Sequence, residues 1–174
     1  MNNDTTNKLI ILFIFEKMEM PITDNALLEL ATSTNQWLSH LDCQIALSDL
    51  VKTEFLYRTE RDKNVYYSIT PEGRECISHF YNKLAPSLQR EIADYIKHNR
   101  MDVRRNQEYY SHYSKNPDGT FTVLLKIIDP VQTTLEIKLN VANEKFAKRA
   151  YQVWKEQAAH TYFFLYEKLL GELI

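Results

Sequence analysis

The chain has only three glycines, at positions 73, 119 and 171, and five prolines. Flexible Gly/Ser linkers and Pro-rich spacers need many more of both, so no low-complexity segment is expected to separate folded parts. The same scarcity leaves no glycine-rich phosphate-binding loop and no Gly-flanked nucleophilic serine. The two cysteines, Cys43 and Cys76, stand in neither disulfide nor metal-ligand spacing. Both fall on apolar helical stripes, so buried free thiols in a reducing cytoplasm are expected. The five histidines are scattered and no carboxylate pair is evident, so neither an enzyme nor a cofactor-binding protein is expected. Leu9–Phe15 is apolar but far too short for the roughly 20 residues of a membrane span. Its basic flank is weak for a secretory signal, so it is expected to be a core helix.

Excess positive charge is missing too. Residues 1–84 carry eight Lys and Arg against twelve Asp and Glu, a net of −4, and residues 85–174 carry thirteen against eleven, a net of +2. Duplex DNA attracts proteins chiefly through Lys and Arg on phosphates. An N-terminal half of this sign is a poor non-specific binder and needs its cations on one face, or doubled in a dimer.

What is present begins with 174 residues, enough for one good core or two small ones. Residues 8–18 are expected to form a first helix, apolar on all sides, behind a polar, frayed 1–7. Met20-Pro21-Ile22-Thr23 ends it, and Thr23 or Asp24 caps a second helix over 25–32. Trp37, in the connection after it, suits an anchor between helices better than a stacking platform for bases. From Asp42 to Gly73 the pattern is a helix, a two-stranded hairpin and a helix start. Asp42 is the expected cap, and Cys43, Ala46, Leu47, Leu50 and Val51 make one apolar stripe. Phe55–Arg58 and Val65–Ile69 have strand composition around a charged turn at Asp62-Lys63-Asn64. Thr70 can cap the next helix, with Pro71 as its first residue.

Phe55-Leu56, the helix before them and Tyr67-Ser68-Ile69-Thr70-Pro71-Glu72-Gly73 resemble the winged-helix regulators of bacteria, including the multidrug-response and phenolic-acid-response types. Over nearly the whole chain, Met20-Pro21-Ile22-Thr23-Asp24, Ala46-Leu47-Ser48-Asp49-Leu50-Val51, Ile69-Thr70-Pro71-Glu72-Gly73 and Trp154-Lys155 are similar to an uncharacterised bacterial family. That family is a domain of unknown function with a predicted DNA-binding winged helix. The resemblance implies a transcriptional regulator with double-stranded DNA as partner. Helix 43–53 would then enter the major groove with Gln44, Ile45, Ser48 and Lys52 outward. The wing, 55–70, would bring Arg58, Arg61, Lys63 and Asn64 to the backbone or minor groove. A solvated helix face and a mixed-charge solubilising turn explain the same residues without DNA. Asp49, on the outward face, opposes phosphate unless a cation or a cytosine amino group pairs with it.

Cys76, Ile77, Phe80 and Leu84 mark the inward face of the helix from 72 to 83. Ser87 is expected to cap a further helix over 88–99, with basic residues 97–100 and 104–105 at its end, either matching the helix dipole or touching a phosphate backbone. After Asn106 the period becomes two. Strands are expected at 108–115, 120–129 and 133–141, joined first by the Asn116-Pro117-Asp118-Gly119 turn. Asn143 caps a last helix, about 144–170, whose sheet-facing stripe is Phe146, Ala150, Val153, Trp154, Ala158, Thr161 and Leu165. Tyr162, Phe163 and Tyr166 belong to a turn that is apolar all round, an expected interface for the winged helix or for a second copy. Tyr109, Tyr110, His112 and Tyr113 could line a pocket for an unidentified small-molecule effector, though tyrosine is also simply a favoured strand residue.

The expected fold class is α+β: an N-terminal winged helix-turn-helix, then a three-stranded antiparallel sheet packed by a long C-terminal helix. Residues 1–84 form the first domain, 85–106 a connecting helix and 107–174 an interaction or sensor domain. The functional expectation is a cytoplasmic, homodimeric, DNA-binding regulator with no membrane partner. A winged helix used for protein–protein contact without DNA, and a small-molecule sensor working through the C-terminal sheet, are the alternatives.

Overall fold

The computed structural model describes residues 3–61, 64–129 and 132–171. Within them the chain is mixed α+β, with six α-helices and two three-stranded antiparallel sheets. It divides into two compact units, Met1–Val103 and Arg104–Ile174.

The first unit is built around α1 (Asn3–Met18). Seven consecutive residues, Leu9–Phe15, are buried. A helix with no wet side must be enclosed by several elements, and α3, α4 and β3 all pack on α1. The helix begins at Asn3 rather than Lys8, so the polar 3–7 segment is ordered. Asn7 is buried, and Lys8 Nζ lies 2.8 Å from Asp4 Oδ2 one turn back. Apolar periodicity cannot register a first turn held by an ion pair.

β1 (Ile22–Thr23) is a two-residue strand that the sequence pattern left as a helix break. Thr23 caps α2 (Asp24–Leu28) by accepting from the Ala26 N–H. The chain continues as a wider π-helical turn, Glu29–Thr34. Trp37 is an anchor: its indole N–H donates to Glu91 Oε1 at 2.8 Å, and its ring meets Tyr95 edge-on at 5.8 Å.

α3 (His40–Lys52) starts three residues earlier than expected, because Ser39 and not Asp42 is the cap. Ser39 Oγ accepts from the Asp42 N–H at 3.1 Å and donates to Asp42 Oδ2 at 2.7 Å. Asp42, at the third helical position, thus holds the Ser39 hydroxyl that caps the helix. β2 (Leu56–Arg61) and β3 (Asn64–Ile69) follow, and β3 is central, in the order β1-β3-β2.

The joint between α3, the hairpin and α4 (Pro71–Phe80) is a knot of backbone hydrogen bonds. The Phe55 N–H donates to the Leu50 carbonyl at 2.9 Å and the Glu54 N–H to that of Val51 at 3.1 Å. This pair is the Schellman closure of α3. It places Glu54 at φ 60, a left-handed conformation where glycine is usual. The buried Thr70 hydroxyl donates to the Glu54 carbonyl at 2.8 Å and accepts from the Gly73 N–H at 3.0 Å. The Thr70 N–H donates to the Phe55 carbonyl at 3.1 Å. Gly73 is buried in the first turn of α4, where a Cβ would run into the Phe55 carbonyl oxygen.

A 3-10 turn, Tyr81–Lys83, leads to α5 (Pro86–Glu108). This helix corrects the expected 88–99 with its Ser87 cap. Pro86 opens it, the Gln89 N–H donates to the Ala85 carbonyl at 3.0 Å, and Arg104 pairs with Glu108 at 2.8 Å near its end. The 97–100 segment is thus helix interior rather than helix end, which removes its dipole role. Ile92 and Ile96 enter the core of the first unit.

The second unit has the sheet order β4-β5-β6, with β4 at Tyr109–Lys115, β5 at Phe121–Ile128 and β6 at Thr133–Val141. The β4–β5 turn closes as the sequence implies, with the Asn116 N–H donating to the Thr120 carbonyl at 2.8 Å and Gly119 at φ 84. α6 (Glu144–Leu170), capped by Asn143, covers one face of the sheet. Its buried stripe is Ala147, Trp154 and Ala158. Phe146, expected inward, is 57% exposed, because it lies one position off that stripe. Small alanines bring the helix close to the sheet, and the Trp154 indole N–H reaches the Lys126 carbonyl at 3.0 Å.

The joint yields a paired prediction. Gly73→Ala should destabilise the protein by about 1–3 kcal/mol, because the Phe55 backbone must move to admit the methyl. Glu54→Gly should stabilise it by about 0.5–1 kcal/mol, because relief of the left-handed strain exceeds glycine's unfolded-state entropy. Urea unfolding of the two variants beside the parent, followed by circular dichroism, measures both.

Candidate nucleic-acid interface

The outward residues of α3 recur at helical spacing and share one stripe. Gln44, Ile45, Ser48 and Lys52 are all exposed. Ile45 is 48% exposed, and Leu41, one turn earlier, is 65% exposed. Leu41 did not stand out in the sequence because it precedes the expected helix start. The stripe therefore has an apolar N-terminal half and a polar C-terminal half.

Asp49 flanks this stripe and is not a bare carboxylate. Its Oδ2 lies 3.0 Å from Lys8 Nζ of α1, and its Oδ1 lies 3.9 Å from Lys52 Nζ. The hydrogen bond from Lys8, followed by the charges of Lys8 and Lys52, holds the Asp49 carboxyl below its ordinary value. Lys8 is raised in turn, by Asp4 first and Asp49 second. Sequence reasoning could not find Lys8, because its partner is brought near only when α1 docks on α3.

On the hairpin, β2 exposes every residue from Tyr57 to Arg61. Arg58 stands opposite Tyr67 of β3, and its guanidinium lies 3.6 Å from Glu60 Oε2. Burial pushes the Tyr67 phenol up, Asp24 adds to this, and the hydrogen bond from Arg58 opposes it. Arg61 is exposed and pairs in register with the half-buried Asn64. Lys63, the remaining expected contact, lies outside the described residues. Other cations of this unit are engaged with carboxylates: Arg74 with Glu16 at 2.7 Å and Arg100 with Glu19 at 2.8 Å.

The expected interface on α6 is exposed as well. Phe163 is 65% exposed, and Phe164, Tyr166, Leu169 and Leu170 are also open. Tyr162 is half-buried and packs its ring against Phe163 and Tyr166, each at 6.0 Å. In the sheet, Tyr113 contacts Tyr151 of α6 at 5.8 Å while Tyr110 and His112 are exposed. The β4 aromatics therefore divide between the two faces of the sheet and do not line a single pocket.

Both thiols are free. Burial pushes the Cys43 thiol up to about 11, with the Asp24 charge adding to it, and Cys76 is raised by burial alone. Among the described residues no group of three His, Cys, Asp or Glu could hold a metal ion, and no helix is long and apolar enough to cross a membrane.

Because Asp49 is depressed in the folded state, its contribution is present above the unfolded carboxylate value and is lost as pH falls through the folded one. The stability gap between the parent and Asp49→Asn should therefore close between about pH 5 and pH 2, and should narrow in about 1 M salt. Urea denaturation across that pH series measures it.

The family model described as Domain of unknown function (DUF4364) matches residues 7–169. No curated protein and no solved structure matches the chain. The match runs from the middle of α1 almost to the end of α6, through both compact units. The chain belongs to the DUF4364 family.

Proposed function

We propose that the first unit is a winged helix-turn-helix that binds double-stranded DNA, with α3 in the major groove and the β2–β3 hairpin as the wing. The observation that carries this reading is topological. The element order is α1, β1, α2, α3, β2, β3, with β3 pairing back to β1. A helix-turn-helix followed by a hairpin of this kind presents α3 outward, and its Gln44, Ile45 and Ser48 have the chemistry to meet base edges and a thymine methyl. The Lys8–Asp49 pair supports the reading further, since it neutralises a carboxylate that would repel phosphate.

A second copy suits the acidic unit, because two copies double the available cations. In α6, Phe163, Tyr166 and Leu170 recur at i, i+3 and i+7, the spacing of a helix-pairing seam. We propose that this seam joins two chains and that DNA half-sites are correspondingly symmetric.

A second reading is favoured by one observation. Leu41 and Ile45 form an exposed apolar pair on α3, in a half of net charge −4. That pair suits a protein partner, and failure to bind DNA at either low or physiological salt would favour it.

Selection of random genomic duplexes at low and physiological salt tests the DNA reading; a recovered, roughly symmetric sequence surviving physiological salt is the expected result. Arg58→Ala with Arg61→Ala should weaken binding to all sequences and lower the salt slope by about two. Gln44→Ala should relax preference at one base position, at about 1–3 kcal/mol. Phe163→Ser with Tyr166→Ser should give a monomer in sedimentation at micromolar concentration, where the parent sediments as a dimer.

A further inference from the structure

Behind the α3 surface, α1, the end of α3 and α4 line a half-open cavity of about 270 Å³. Leu9 and Leu12 of α1, Leu50 of α3 and Phe55 form its apolar wall. Cys76 and Phe80 of α4 complete it, and burial raises the Cys76 thiol. Phe80 shares the apolar stripe of α4 with Cys76 and Ile77, yet it is 44% exposed. Its ring stands at a space the protein's own side chains leave unfilled.

The charge of the lining decides what could fill it. Lys8 and Lys83 belong to the wall, and no carboxylate does. This is unusual in a half of the chain with net charge −4. Two larger cavities in the same unit carry Glu16 and Asp42 in their walls. Lys8 shares its charge with Asp4 and Asp49. Lys83 lies 5.1 Å over the Phe80 ring, and among the described residues it forms no ion pair. An apolar chamber with an available ammonium group in its wall matches a ligand with an apolar body and one anionic head.

We propose that this cavity binds a medium-chain alkyl carboxylate, with the chain among Leu9, Leu12, Leu50 and Phe55 and the carboxylate at Lys83. At ~30 Å³ for a water-sized group, the volume is on the order of nine such groups, a medium-chain size to which octanoate comes close when its carboxylate stands at the Lys83 rim. The site lies in the first unit and does not involve the tyrosines of the C-terminal sheet.

Isothermal titration of the full chain with monomeric hexanoate, octanoate, hexadecanoate and octanol tests this. Each methylene added within the cavity should tighten binding about fourfold, so octanoate should bind more than tenfold tighter than hexanoate, and hexadecanoate should lose that gain. Lys83→Gln should weaken octanoate about tenfold and leave octanol unchanged, while Lys83→Arg should retain octanoate. No octanoate binding at millimolar concentration, equal affinity for hexanoate and octanoate, or an unaltered octanoate affinity in Lys83→Gln would each overturn the proposal. The titration contains no DNA, so its outcome is independent of the DNA-binding reading.

Discussion

Everything in the first unit depends on burying α1. Leu9–Phe15 offer water no face, and large apolar side chains are worth about 1.5–3 kcal/mol each when fully buried. Enclosing such a helix requires neighbours on several sides, and α3, α4 and β3 supply them. Charged residues of α1 and of the residue after it are then left at the edges, where three of them reach different neighbours. Lys8 meets Asp49 of α3, Glu16 meets Arg74 of α4, and Glu19, just past the helix, meets Arg100 of α5. Exposed pairs of this kind contribute at most about 1 kcal/mol each. Their larger effect is electrostatic, because they occupy cations and carboxylates that would otherwise define the charge of the surface.

The knot at Thr70 sets how α3 meets the hairpin. Because the Thr70 hydroxyl and N–H hold the carbonyls of Glu54 and Phe55, the end of α3, the start of β2 and the start of α4 share one set of hydrogen bonds. The scarcity of glycine leaves its mark here. Left-handed positions fall to Glu19, Gln36 and Glu54, and the glycine that is present, Gly73, is used where no side chain fits beside the Phe55 carbonyl. Phe55, placed by the same closure, lines the half-open cavity together with Leu50.

The second unit is simpler. One sheet buries one face against one helix through Val123, Leu125, Ala147, Trp154 and Ala158. That core is small, and the C-terminal turns of α6 extend their aromatic and aliphatic residues beyond it. A turn that is apolar all round, in a helix laid on a single sheet, leaves part of its circumference open.

The sequence by itself determined the elements whose signals are local. Period-two alternation located β4, β5 and β6 within one or two residues, the Asn116–Gly119 turn needed a glycine at positive φ, and Thr70-Pro71 and Asn143 marked helix starts that their own side chains make. The outward set on α3 was legible because helical spacing separates it from Cys43, Ala46, Leu47 and Leu50. Tertiary structure decided what depends on partners distant in sequence. β1 exists only because Ile22 and Thr23 pair with Tyr67 and Tyr66. The Ser39 cap of α3 is the local exception: its partner Asp42 is three residues on, and Asp42 is itself a residue type that caps helices. The pairing of Asp49 with Lys8, the exposure of Phe146 and Phe80, and a cavity wall whose charged groups are both lysines arise from the docking of whole helices. No window of neighbouring residues contains that information, because burial and charge pairing at those sites are set by elements tens of residues away.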